Sequence, residues 1–197
     1  MLFLLFIVWF GVNMNFPNFA ESFFVSQGFE KVSGESKTVF LIPSCDCVIK
    51  LPIGKSGSEH NFGEWNFFQK THGLPFHPFI QPTLFSLKHF DEEKNESWIN
   101  IQKIGHRACS MSPGDFTRQM LILTDLEADD DQHHFYKQDN FFFDRTGKLR
   151  MVDYGSIMTQ EIIRKYGERI YHQFDERKQF SEDEKKEIDD RLVNSKF

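Results

Sequence analysis

Four polar residues of the sequence have side chains suited to binding a phosphate chain and a metal ion. Lys50 closes a β-branched segment, and Glu64 follows 14 residues later in a segment with helical spacing. Asn140 and Asp153 flank two apolar runs joined by a turn that contains Gly147. A fixed ammonium group, oriented by a carboxylate, balances the charge of a triphosphate. Magnesium prefers hard oxygen ligands, which amide and carboxylate side chains supply.

The segments that must position Lys50 and Glu64 are a strand pair and a helix. Lys37–Ile42 and residues 47–51 are rich in β-branched and aromatic residues and are separated by a short turn, which predicts an antiparallel hairpin. Residues 54–63 are polar and rich in glycine and serine, which predicts a loop. Residues 62–71 are predicted to form a helix, because Glu64, Phe67, Phe68 and Thr71 stand three and four positions apart.

The rest of the chain is predicted to add strands, a second hairpin and helices. Thr83–Phe90 and residues 98–104 have strand character. Residues 141–153 predict a hairpin around a glycine-containing tight turn. Asp115 is predicted to cap a helix, and residues 157–197 are predicted to be mostly amphipathic helix.

The order and spacing of these residues resemble the protein kinase-like family over roughly residues 28–156. Val48-Ile-Lys50 is similar to the family's strand lysine motif, and Asp153-Tyr-Gly155 is similar to its metal-binding Asp-Phe-Gly. The segment from His133 to Asn140 is similar to the catalytic loop at full length, and residues 33–39 resemble a reduced glycine loop.

The resemblance implies an ATP-binding and magnesium-binding phosphotransferase. Lys50 would hold the nucleotide phosphates under a loop that contains Gly34, and Glu64 would orient Lys50. Asn140 and Asp153 would hold magnesium. The implied reaction transfers the γ-phosphate of ATP to a hydroxyl acceptor such as a protein serine or threonine. The implied partners are a nucleotide and a protein substrate or partner.

The catalytic loop departs from the family pattern at one position. The family's catalytic aspartate sits five residues before the asparagine, where this chain has Phe135. A phenyl ring cannot accept a proton. Asp131 and Asp139 are nearby acids that are candidates to orient the acceptor hydroxyl instead. A catalytically inactive pseudokinase that works as a binding module is therefore the alternative.

Two further regions depart from the pattern. Only Gly34 of the three loop glycines is present, with Val32 and Lys37 where the others would stand. No Ala-Pro-Glu segment follows Gly155, and the 42 residues after it are too few for the usual substrate-binding helices. Nucleotide binding is therefore better supported by the sequence than phosphoryl transfer.

The predicted fold class is α+β with a kinase-like bilobal fold. An antiparallel sheet lobe is expected beside a short, truncated helical lobe. The predicted division is an apolar amino-terminal segment at residues 1–20, a strand-rich nucleotide lobe at residues 21–105, and a helical lobe with the metal-binding hairpin at residues 106–197.

The amino-terminal segment leaves three alternatives open. Residues 1–12 form an unbroken apolar run that is too short for a membrane span, which needs about 20 residues. The segment is an over-called extension before Met14, a buried first strand, or an export signal cleaved near Ala20. Export would make the chain an α+β protein without a nucleotide site. The preferred location is the cytoplasm, or a host cell into which the chain is delivered, because the chain also resembles short bacterial effector kinases.

Composition excludes several other classes of protein. A net charge of −6 makes nucleic-acid binding a poor expectation. The three cysteines, Cys45, Cys47 and Cys109, have neither the number nor the spacing of a disulfide framework or a zinc ribbon. Residues 129–134 combine three aspartates with two histidines, so this cluster is predicted to be a solvated loop, with a transition-metal site as its alternative.

Overall fold

A computed structural model describes residues 16–90, 96–124 and 135–194, without the side chains of residues 16–20, 89 and 192–194. These residues form a mixed α+β structure with two compact units. Of the described residues, 16–66, 82–90 and 96–104 belong to the first unit, and 67–81, 105–124 and 135–194 belong to the second. Within the described ranges, none of the helices has the length and apolar character needed to cross a membrane.

The first unit contains a five-stranded antiparallel sheet with the strand order β1-β2-β3-β5-β4. The strands are β1 (Lys31–Ser33), β2 (Lys37–Ile42), β3 (Cys47–Pro52), β4 (Thr83–Phe90) and β5 (Glu96–Lys103). The predicted hairpin of β2 and β3 is confirmed, as are the two later strands. The sequence also predicts a charged turn over residues 91–96 between these two strands. Glu96 already begins β5, and residues 91–95 lie outside the described residues.

The two faces of this sheet differ in polarity because side chains alternate along each strand. One face packs against helix α1 (Phe16–Ser26), where the rings of Phe24 and Phe40 lie 5.1 Å apart. The buried members of this core are Phe24, Phe40, Ile42, Cys47, Ile49, Leu51, Ile99 and Ile101. Lys50 follows Ile49 and therefore points to the opposite face of the sheet.

Helix α2 (Gly54–Lys70) covers the polar face of the sheet and corrects one prediction. The loop predicted for residues 54–63 is wrong, because these residues form the first half of this helix. Ser58 donates to the carbonyl of Glu96 at 3.2 Å and accepts from the amide of Trp98 at 3.1 Å. The first half of α2 contacts the sheet through polar side chains. The sequence therefore shows no helical repeat of apolar residues over this segment.

In its described residues, the second unit combines a small sheet with three α-helices. Strands β6 (Arg107–Ala108), β7 (Phe141–Phe143) and β8 (Leu149–Met151) are antiparallel and adjacent in that order. The helices are α3 (Pro113–Thr124), α4 (Ile157–Gln173) and α5 (Glu182–Asn194). The predicted hairpin is confirmed as β7 and β8, and its turn contains Gly147 at a φ of 76°. The helices predicted after residue 157 are confirmed as α4 and α5.

The amino-terminal cap of α3 differs from the prediction. The helix begins at Pro113, and the hydroxyl of Ser112 accepts a hydrogen bond from the amide of Asp115 at 3.2 Å. The same hydroxyl donates to the Asp115 carboxylate at 2.9 Å. Ser112 is therefore the capping residue, and Asp115 in the first turn of the helix accepts from the capping hydroxyl rather than capping the helix itself.

The cysteines take no part in disulfides among the described residues. Cys47 is buried in the core between the sheet and α1, and Cys45 packs against that core. Burial, together with Cys45 and Asp46, raises the pKa of the Cys47 thiol to about 11. The thiol therefore stays protonated near neutral pH, which fits a packing role.

Candidate functional site

Lys50 and Glu64 form a buried ion pair within the first unit. The Lys50 ammonium donates to both Glu64 carboxylate oxygens at 3.0 Å each. The carboxylate is completely buried, and 5% of Lys50 is exposed. The approach of these two side chains, which the resemblance implies, is confirmed. Their role in nucleotide binding stays a prediction.

Asn61 explains why Glu64 points toward Lys50. Its side-chain amide donates to the carbonyl of Lys50 at 3.0 Å and to the carbonyl of Trp98 at 2.8 Å. These two bonds attach α2 to the backbones of β3 and β5. Glu64 lies three positions later and therefore on the same side of the helix, facing the sheet.

Lys37 is a second lysine on the same carboxylate, and no role for it is predicted from the sequence. Its ammonium lies 2.8 Å from Oε1 of Glu64, and its side chain is buried. Lys37 stands two residues before Val39, which pairs with Lys50 across β2 and β3. Strand alternation places Lys37 and Lys50 on one face of the sheet, and this pattern would have identified the pair.

Asn100 completes the hydrogen bonds around Glu64. It lies opposite Lys50 on β5, and its amide contacts the Glu64 carboxylate at 3.4 Å and the Asn61 carbonyl at 2.7 Å. Ser86 donates to the Asn100 side-chain oxygen at 2.7 Å. The carboxylate is thus surrounded by ammonium and amide donors, which is the condition under which a charge can stay buried.

Gly34 lies in the exposed turn between β1 and β2. Its amide donates to the carbonyl of Lys37 at 2.9 Å, which closes the turn. A side chain built at Gly34 would make only ordinary contact with that carbonyl, at 3.7 Å. The turn itself therefore does not require glycine at this position.

Asn140 and Asp153 lie at the same end of the β7–β8 hairpin in the second unit. Asn140 ends the short helical turn Gln138–Asn140, and its carbonyl accepts from the amide of Val152 at 2.9 Å. This bond continues the strand register by one residue pair beyond Phe141 and Met151. Asp153 follows directly and is exposed, whereas Asn140 is half-buried.

Tyr154 anchors the chain immediately after Asp153. Its hydroxyl donates to the carbonyl of Gln81 at 2.7 Å, and its ring lies 6.1 Å from the ring of Phe67. The Tyr154 side chain is fully buried in the core of the second unit. Asp153 is therefore held at a fixed position next to a rigid core residue.

Asp144 stabilises the turn of the same hairpin. Burial raises the pKa of this carboxyl, but hydrogen bonds from Thr146, Arg150 and the amide of Lys148 outweigh it and hold the pKa at about 2. The hydrogen bond from Arg150 to Asp144 measures 2.7 Å. This network joins both strands and fixes the hairpin that carries Asn140 and Asp153.

The structure describes residues 135–140 of the segment that resembles the catalytic loop. Phe135 is 1% exposed and packs edge-on against Phe141 at 5.8 Å between ring centroids. It is therefore a core residue of the second unit. Asp139 is exposed in the turn beside Asn140.

Asp131, His133 and the whole acidic cluster of residues 129–134 lie outside the described residues. Within the described ranges, no group of three or more histidine, cysteine, aspartate or glutamate side chains could hold a metal ion. The transition-metal alternative for residues 129–134 therefore stays a prediction.

Neither the models of known protein families nor the curated protein sequences contain a match to this chain.

Proposed function

We propose that this protein is a kinase-like phosphotransferase that binds ATP with magnesium and transfers the γ-phosphate to a hydroxyl acceptor. The observation that carries the proposal is the buried ion pair of Lys50 and Glu64. A lysine ammonium held in place by a carboxylate is the group that a kinase-like protein needs for the nucleotide phosphates.

The burial of this pair supports a functional role over a purely structural one. Removing two charges from water costs free energy, and apolar residues of similar size often stabilise a fold at least as well. Asn61 and Asn100 nevertheless hold the pair in place through further buried hydrogen bonds. We infer that the chain retains these charges for ligand binding.

The second unit supplies side chains that fit magnesium. Asn140 and Asp153 offer an amide oxygen and a carboxylate at one end of a hairpin whose turn Asp144 stabilises. These are the hard oxygen ligands that magnesium prefers. When bound, the metal would neutralise charge on the phosphates. Asp139, next to Asn140, is the described acid proposed to orient the acceptor hydroxyl.

The architecture is compatible with the kinase-like fold that we propose. A five-stranded antiparallel sheet carries Lys50 on its third strand, and the helix after that strand carries Glu64. The hairpin with Asn140 and Asp153 follows later in the chain, in the second unit.

A binding module without transfer activity is the second candidate, and the burial of Phe135 favours it. This side chain belongs to an aromatic core, so it leaves no acid at the family's catalytic position. Such a module would bind ATP and magnesium through the same groups but would not release or transfer phosphate.

Transfer of label from γ-labelled ATP tests the proposal. The wild type, Asp153→Ala and a control, Asp183→Ala, are each incubated with magnesium, alone and with a mixture of protein acceptors. Asp183 is exposed in the first turn of α5. We expect labelling by the wild type and the control, and about a 100-fold slower rate for Asp153→Ala, since the metal ligand is lost.

Equal labelling by Asp153→Ala and the wild type would refute the assignment. Binding without labelling would instead support the binding module. It would appear as a stabilisation of about 2.7 kcal/mol when ATP is present at 100 times its dissociation constant. Melting of each variant without ligand checks that it is folded.

A further inference from the structure

Lys37 and Lys50 meet at one carboxylate oxygen, and this geometry points to a ligand that both lysines contact. We propose that they form a two-lysine anion site whose ligand is a polyphosphate chain. The inference rests on the proposed function in one respect, which is that the polyphosphate belongs to a nucleotide. It adds Lys37 as a specificity-determining residue, at a position where the resemblance would place a glycine.

The distances set the spacing of the two positive charges. Oε1 of Glu64 lies 2.8 Å from the Lys37 nitrogen and 3.0 Å from the Lys50 nitrogen. The two ammonium nitrogens are therefore no more than about 6 Å apart, a separation at which like charges repel. A chain of linked phosphates carries several negative charges in sequence, so it can contact both nitrogens at once. A single phosphate is less suited to contact both lysine nitrogens.

The burial of the three side chains shows which part of the cluster is accessible. Glu64 has no exposed side-chain surface, whereas Lys37 keeps 8% and Lys50 keeps 6%. The small accessible side-chain surface of these three residues therefore belongs to the two lysines. An anion approaching this cluster meets the lysines before it meets Glu64.

The local backbone fixes Lys37 where it can act with Lys50. The turn of Gly34 closes onto the Lys37 carbonyl at 2.9 Å, and Lys37 pairs with Pro52 in the register that also pairs Val39 with Lys50. A glycine at this position would contribute only its backbone amide. A lysine adds a positive charge, which strengthens binding to phosphate in particular.

Calorimetric titration with inorganic tripolyphosphate, and separately with ATP and magnesium, tests the inference. The variants are Lys37→Met, which keeps a side chain of similar length, and the control Lys55→Met on α2. Lys55 is 89% exposed in its side chain. We expect Lys37→Met to bind both ligands at least about tenfold more weakly than the wild type, and Lys55→Met to bind like the wild type.

The two proposals fail in distinguishable ways. Binding of tripolyphosphate but not of ATP by the wild type, weakened by Lys37→Met, would keep the two-lysine site and refute the kinase-like function. Wild-type affinity in a folded Lys37→Met would overturn the two-lysine site and leave the nucleotide proposal standing. If the wild type binds neither anion, both proposals are wrong.

A measurement on the wild type covers the case in which Lys37→Met does not fold. The protein is treated with an amine-acylating reagent, with and without tripolyphosphate, and the modification of each lysine is followed by mass spectrometry. We expect tripolyphosphate to protect Lys37 and Lys50 and to leave Lys55 unchanged. Protection of Lys50 without protection of Lys37 would overturn the inference.

Discussion

At the scale of single residues, Glu64 is the centre of the candidate site. Its carboxylate binds the ammonium groups of Lys37 and Lys50 within 3.0 Å, and all three side chains are buried. The pair of Lys50 and Glu64 could be predicted from the sequence, because the resemblance to kinase-like proteins implies a strand lysine oriented by a helix glutamate. Lys37 was missed although it begins a predicted strand, because the resemblance placed it where the family has a glycine, a position with no side chain to contribute.

Replacement of Glu64 by glutamine should destabilise the protein strongly. The substitution removes the negative charge and leaves two ammonium groups buried, a change that typically costs about 3 kcal/mol or more. Urea unfolding measures the loss. The control is Glu59→Gln on the same helix, where the side chain is 65% exposed and should contribute less than about 1 kcal/mol. Equal stability of Glu64→Gln and Glu59→Gln would contradict the account.

The substitution Phe135→Asp should not produce or increase phosphate transfer. The sequence alone suggests Phe135→Asp as a gain of function, but the structure buries this side chain in an aromatic core. An aspartate there would carry an unpaired charge into the core and remove a large ring, so we expect a loss of about 3 kcal/mol or more.

Thermal unfolding of Phe135→Asp beside Phe135→Leu separates these two effects. Leucine keeps the position apolar, so it should destabilise less than aspartate. A stable Phe135→Asp protein that transfers phosphate faster than the wild type would show that the core assignment of this residue is wrong.

At the scale of elements, the strands were predictable and the first half of α2 was not. Strands β2 to β5 carry β-branched and aromatic residues in an alternation that indicates a sheet. The first half of α2 instead contacts the sheet through Ser58 and Asn61. Polar contacts of this kind depend on the partner strands, so no hydrophobic period reveals them.

Gly57 gives a direct test of how α2 meets the sheet. A Cβ atom at this position would lie 1.9 Å from the backbone oxygen of Ser36, so the helix can approach only with glycine there. Alanine normally stabilises a helix relative to glycine. We nevertheless expect Gly57→Ala to destabilise the protein by about 2 kcal/mol, since the backbone must move apart.

Chemical denaturation of Gly57→Ala and of Ser56→Ala measures this effect. Ser56 is exposed on the same turn of α2, so its replacement should leave stability unchanged or slightly higher. A more stable Gly57→Ala would mean that the first half of α2 is not packed against the turn that contains Ser36.

At the scale of the whole molecule, the chain is an α+β protein of two compact units. The sequence could predict this class because its strand and helix segments differ in the spacing of their apolar residues. It also placed Asn140 and Asp153 at one end of a hairpin, since the tight turn at Gly147 sets the register of both strands. The core position of Phe135 was not predictable, because the aromatic core that contains it, including Phe141, is assembled only by folding.

The central claim is that Lys50, held by Glu64, binds the phosphates of ATP. Titration calorimetry of the wild type, Lys50→Met and Lys55→Met with ATP in the presence of magnesium tests it most directly. The account predicts saturable binding by the wild type and by Lys55→Met, and at least about tenfold weaker binding by Lys50→Met because a charged contact to phosphate is lost. No binding by the folded wild type, or unchanged affinity in Lys50→Met, would contradict it.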